Sequence, residues 1–167
     1  MLRFAGALMF TVAGTLAGVL KSLELKSNCE TSTEIERLVN SISTMIRYQA
    51  TDVYELSSML KNSAEFERLT FISELPERYS AGEDFHEQWT GAVERQKDLH
   101  GDQRKLLLEL GRIIGTSDIE GQISALELIS RSADSLIDKY NEEYSKKGRL
   151  YRSIGVLAGV TVGILVI

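Results

Sequence analysis

Cysteine and proline are almost absent: the 167-residue chain has one of each, Cys29 and Pro76. A single thiol cannot build an internal disulfide framework, and it fits a reducing compartment. So little proline leaves long stretches free to be helical. Histidine is nearly as scarce, with only His86 and His100. Glu83, Asp84 and Glu87 stand near His86, but a metal site needs three or four ligands converging with set geometry, and a polar helix face is the simpler reading. His100 lies in a His-Gly-Asp turn. Cys29 has no local partner that would make it a nucleophile. No glycine-rich phosphate loop and no G-x-G-x-x-G is present. These absences argue against an enzyme and against a bound cofactor or metal. Charge is also missing from both ends: residues 1–20 carry only Arg3, residues 153–167 carry none, and every acidic residue lies between Glu24 and Glu143. The formal net charge is −5, a mixed acidic balance that gives no electrostatic footprint for nucleic acid.

What fills the uncharged ends is apolar. Phe4 to Leu20 is a run of 17 residues, which as a helix spans about 25 Å at about 1.5 Å per residue, the short end of a membrane crossing. Ile154 to Ile167 is a run of 14; it reaches spanning length if the helix begins near Leu150, with Arg152 snorkelling and Tyr151 at the interface. The expectation is a transmembrane helix at 1–22, a cytosolic domain at 30–149 and a second transmembrane helix at 150–167. A cleaved signal peptide is the alternative for the first; its basic region would be a single Arg, and the apolar run is long for that role. Glycines recur every fourth residue in both runs, Gly14 and Gly18 in the first, Gly155, Gly159 and Gly163 in the second. That spacing stacks small residues on one face and lets another helix approach, either in the same chain or in a second subunit of a homo-oligomer. Lys21 and Lys26 follow the first run, and Lys146, Lys147, Arg149 and Arg152 precede the second. The positive-inside bias puts the middle domain in the cytoplasm.

The middle has helical periodicity throughout and no convincing period of two. Ile35, Leu38, Val39, Ile42, Met45 and Ile46 form one apolar face, with Thr31, Ser32 or Thr33 as its N-cap. Thr51 or Asp52 opens a second helix carrying Val53, Leu56, Met59 and Leu60. A third, Glu65–Leu75, ends at Pro76. A fourth runs from about Glu83 to Gln96 with Phe85, Trp89 and Val93 inward, and Trp89 reads as a core anchor. A fifth follows Gly101, with Leu106, Leu107, Leu110, Ile113 and Ile114. Gly111 and Gly115 lie four apart in it; glycine there costs about 1 kcal/mol against alanine, which a close crossing, a C-cap at Gly115 or a partner helix on Gly111 would offset. Ser117 and Glu120 have capping-box spacing and open the longest helix, whose stripe from Ile119 through Ile123, Leu126, Ile129, Ala133, Leu136, Ile137 and Tyr140 to Tyr144 meets no breaker before the C-terminal run except Gly148. The fold class is all-α: a bundle of about six helices between two membrane helices.

Four segments carry a family resemblance: LRFAGALMFTVAGTLAG at the start, FHEQWTGAVE around Trp89, LLLELGRIIGTSDIEGQISALE, and LYRSIGVLAGVTVGILVI at the end. The most specific is the order L-G-x-x-x-G-x-S-D-x-E-x-Q, which places Gly111, Gly115, Ser117, Asp118 and Gln122. Together they resemble the stage III sporulation protein AB family of endospore-forming bacteria. DVYELSSML is a departure, where the family pattern would begin Pro-Leu. The resemblance implies a helical domain similar to the F-domain of type II secretion and type IV pilus platform proteins. It implies a non-enzymatic assembly component of the complex linking mother cell and forespore, in the mother-cell membrane around the forespore. Its partners would be other stage III sporulation membrane proteins, the lipid bilayer and a cytoplasmic ATPase of the secretion type. A general secretion or pilus platform is the competing reading; such proteins usually carry two F-domains and three or more spans. A membrane-anchored enzyme is a third, and it needs a convergent polar site.

Overall fold

In a computed structural model of the chain, the described residues are 2–49, 52–115 and 119–166, with the side chains of 2–7, 10, 49, 163, 165 and 166 outside that description. Every regular element among them is helical: α1 Leu2–Gln49, α2 Val53–Lys61, a 3-10 helix Thr70–Glu74, α3 Phe85–Arg95, α4 Gly101–Ile113 and α5 Ile119–Val166. The chain divides into two units, Met1–Cys29 with Asp138–Ile167, and Glu30–Ile137.

The Glu30–Ile137 unit is a helical bundle around one apolar core. Ile35, Leu38, Val39, Ile42 and Ile46 of α1 are buried, as are Leu56 and Leu60 of α2, Phe85, Trp89 and Val93 of α3, Leu106, Leu107 and Leu110 of α4, and Leu126, Ile129, Ala133 and Leu136 of α5. These are the positions that helical periodicity selects. The caps are local. Asp52 accepts from the Tyr54 and Glu55 amides at 2.6 and 3.2 Å and starts α2. Asp84 accepts from the His86 amide at 2.9 Å and starts α3. His100, with Gln103 three residues on, forms the box that starts α4.

Three expectations are corrected. No helix starts at Thr31–Thr33: α1 is continuous from Leu2 to Gln49, because nothing between Lys21 and Thr33 breaks a helix. Ser32 is buried and accepts from the Gln103 amide nitrogen at 2.9 Å. The expected helix at 65–75 is a 3-10 segment confined to Thr70–Glu74. Leu75 is extended there, as a residue before proline must be. Ile119, expected inward, is 45 % exposed. α5, by contrast, runs without a break through Gly148 as expected. The proposed cap at Ser117 lies outside the described residues.

In the second unit the segments of α1 and α5 pack glycine to glycine. A Cβ on Gly14 would stand 2.8 Å from the Gly155 carbonyl oxygen and 2.9 Å from the Gly159 Cα, and one on Gly18 would stand 2.5 Å from the Tyr151 carbonyl oxygen. The stripes therefore meet within one chain, and only glycine permits that separation. The Thr11 hydroxyl donates to the Gly159 carbonyl at 3.3 Å, and the Cys29 thiol donates to Asn141 Oδ1 at 2.8 Å. Gly163 lies outside the residues whose contacts are described. The two expected membrane spans do not emerge: among the described residues no helix is long and apolar enough to cross a membrane. Lys21 closes the first apolar run and Arg152 cuts short the second, and parts of both runs fall outside the described side chains.

Candidate functional site

The two most specific sequence segments converge on one aromatic and one glycine. Trp89, on the inward face of α3, is fully buried. Its indole Nε1 donates to the Leu107 carbonyl at 2.8 Å, so the one polar atom of the ring is satisfied where it would otherwise be costly. The ring then lies over Gly111: a Cβ there would meet Trp89 Cδ1 at 2.2 Å. A side chain at 111 would force the indole or α4 to shift. On the same turn of α3, His86 Nδ1 lies 2.7 Å from the Gly111 carbonyl oxygen. Phe71 and Phe85 surround the indole at centroid distances of 5.2 and 6.1 Å.

Four residues further along, Gly115 has φ +77°, the left-handed conformation that ends helices and that glycine adopts without strain. Its amide donates to Gln122 Oε1 at 3.1 Å, so Gln122 of α5 ties off the end of α4. Thus Trp89, Gly111, Gly115 and Gln122 are joined by packing and hydrogen bonds, while Ser117 and Asp118 lie outside the described residues. The spacing in L-G-x-x-x-G-x-S-D-x-E-x-Q has a physical basis: one glycine receives an indole, the next turns the chain, and the glutamine closes the turn.

Polar residues that the periodicity alone does not flag stitch the rest of the bundle. Gln96 ends α3 and is buried. It accepts from the Phe71 amide at 3.1 Å and donates to the Arg68 carbonyl at 2.7 Å, while its own carbonyl accepts from Arg104 at 2.8 Å. Glu34 accepts from the Arg68 amide at 2.9 Å, and the Arg68 guanidinium pairs with Glu30 and Glu34. Burial pushes the Glu34 carboxyl above its usual range, against the pull of the Arg68 amide and charge. Gln103 stands in core register on α4, so its bond to Ser32 is the signal that a polar residue on an apolar stripe needs a buried partner.

These groups hold helices together; none pairs a nucleophile with a base. His86 is engaged with Gly111, and His100 caps α4. Among the described residues no group of three or more His, Cys, Asp or Glu side chains could hold a metal ion. One concavity is acidic, lined by Glu74, Glu83, Asp84 and Glu87 with Gln88 and Arg95; Arg95 pairs with Glu74 at 2.6 Å.

The Trp89–Gly111 junction and the Gly115–Gln122 closure are built from the segments that carried the resemblance. The model of the stage III sporulation protein AB family matches residues 3–167. The chain belongs to that family. No curated protein and no solved structure matches the chain. The match takes in both apolar ends as well as the bundle, so the family is defined over both units. It is a sporulation family and not known as an enzyme family.

Proposed function

We propose that the chain is a non-enzymatic membrane component of the assembly that links mother cell and forespore. Its two helical ends would insert as a hairpin, and its bundle would present a docking surface in the mother-cell cytoplasm. The observation that carries the membrane part is the inversion of packing in the hairpin. Glycines face each other, while Leu8, Met9, Leu16, Leu20, Leu157 and Ile164 are more than half exposed. An apolar exterior of this kind is unfavourable in water and ordinary in lipid, where close backbone packing holds helices together.

The partner reading rests on what the family resemblance implies, a bundle similar to the platform domains of secretion systems. A secretion-type ATPase and other stage III sporulation membrane proteins are the proposed partners. The acidic concavity of Glu74, Glu83, Asp84 and Glu87 suits a basic surface on such an ATPase. The test is co-purification of the ATPase from detergent-solubilised membranes with the full chain, with a chain carrying Glu83→Lys and Glu87→Lys, and with one lacking 30–137. Recovery should fall in both altered chains. Equal recovery with all three would sink docking through the bundle.

A further inference from the structure

The helical hairpin contains a boundary that neither the family nor the glycine stripe explains. On α1 the uncharged run ends at Leu20 and Lys21 follows; on α5 the last charge is Arg152, and no charge follows it. The packing sets these two ends side by side. Gly18 lies against the Tyr151 carbonyl, and a Cβ on Gly148 would meet the Ser22 hydroxyl at 3.3 Å. Residues 18–22 of one helix thus face 148–151 of the other, and the change from apolar to charged falls at one level on both.

The cations at that level are not equivalent. Lys21 pairs with Glu24 at 2.7 Å, Lys147 pairs with Glu143 at 3.2 Å, and Lys146 pairs with Glu142. Each lysine turns to a carboxylate one helical turn away from the apolar run. Arg149 and Arg152 are exposed and have no carboxylate partner among the described residues. Arg152 Nε donates to the Gly148 carbonyl at 3.2 Å, which ties down one nitrogen and leaves the terminal pair of the guanidinium. No acidic residue exists beyond Glu143. Two guanidiniums at the rim of an apolar surface, three residues apart on one helix and without a carboxylate partner among the described residues, match a phosphate group at that rim. Arginine's planar fork binds phosphate oxygens in pairs.

We propose that Arg149 and Arg152 form a binding site for the headgroup of an anionic phospholipid, seated where the apolar hairpin meets the charged part of the chain. This rests on the membrane reading above and adds the lipid class. The three lysines are spent on internal ion pairs and contribute little to the preference.

The full chain is reconstituted into vesicles of equal phosphatidylcholine and phosphatidylglycerol, released in mild detergent, and weighed intact with its retained lipids. Phosphatidylglycerol should be retained in preference. The preference should fall by about fivefold per arginine in Arg149→Gln and Arg152→Gln, since a basic residue at a membrane surface is worth about 1 kcal/mol. It should persist in the Lys146→Gln, Lys147→Gln chain. Flotation with pure phosphatidylcholine vesicles reports membrane insertion alone. Equal retention of the two lipids by the unaltered chain overturns the proposal, as does a preference that survives loss of both arginines; flotation in either case leaves the membrane reading intact. Failure to float with either vesicle overturns both.

Discussion

The hairpin and the bundle use opposite packing rules within one chain. In the bundle the largest side chains, Trp89 and Phe71 among them, are buried, and the charges face out. In the hairpin the smallest residues meet, and leucines, valines and isoleucines face out. Water rewards the burial of apolar area, so a soluble core selects bulk. In the proposed membrane setting the surroundings would be as apolar as the side chains, burial would yield nothing, and close backbone contact would select glycine. Glycine therefore means different things in the two regions. Gly14, Gly18 and Gly155 admit another backbone; Gly111 admits an indole.

Substitutions can break this contrast, starting with the bundle. Trp89→Ala should cost about 3–5 kcal/mol, through lost burial and a large cavity, read as a lowered midpoint in urea. Gly111→Ala comes next: its methyl would overlap the indole, an overpacking cost of about 1–3 kcal/mol. Indole fluorescence should shift to the red as the ring is displaced, and an unshifted spectrum would show that α4 can move instead. In the hairpin, Gly14→Leu with Gly155→Leu should separate the helices and leave the bundle's urea midpoint unchanged. A disulfide between cysteines placed at Ser22 and Gly148, in a chain with Cys29→Ser, reports that separation. If the crosslink forms equally with and without the leucines, the stripes are not what holds the hairpin.

Smaller effects sharpen the picture inside the bundle. Ser32→Ala would leave the buried Gln103 amide with a lost partner, at about 1–3 kcal/mol, read as a lowered urea midpoint. The smallest effect concerns Glu34. Its carboxyl takes up a proton more readily in the folded chain than in the unfolded one. Stability from this group is therefore complete below the usual carboxylate range and declines as pH rises through the interval up to the raised value. Glu34→Gln should flatten that decline while its amide oxygen still accepts from the Arg68 amide. An unchanged slope in urea midpoint against pH would show that Glu34 is not its source.

Much of the bundle could be read from residues alone. The stripe Ile35, Leu38, Val39, Ile42, Ile46 is buried as the 3.6-residue period requires, and Asp52 caps as its side chain predicts. The misreadings have common causes. Thr31 and Ser32 resemble a cap because hydroxyl residues favour helix starts; inside a long helix both are buried instead, and Ser32 accepts from Gln103. Residues 65–75 have helical composition, but Glu34 and Gln96, more than twenty residues away in sequence, take up the Arg68 and Phe71 backbone groups and hold the segment in tighter turns.

By itself the sequence determined that this protein is helical, that its charge is confined between two apolar ends, and which family it resembles. Helicity and the placement of charge follow from local spacing and composition, and the resemblance from matching segments of sequence. Only the tertiary structure decided what each glycine receives, that Gln122 closes the turn at Gly115, that the two glycine stripes meet in one chain, and that the apolar boundary falls at one level on both helices. Each of these joins residues far apart in the chain, and side-chain shape and hydrogen-bond geometry select such pairs only once the helices have packed.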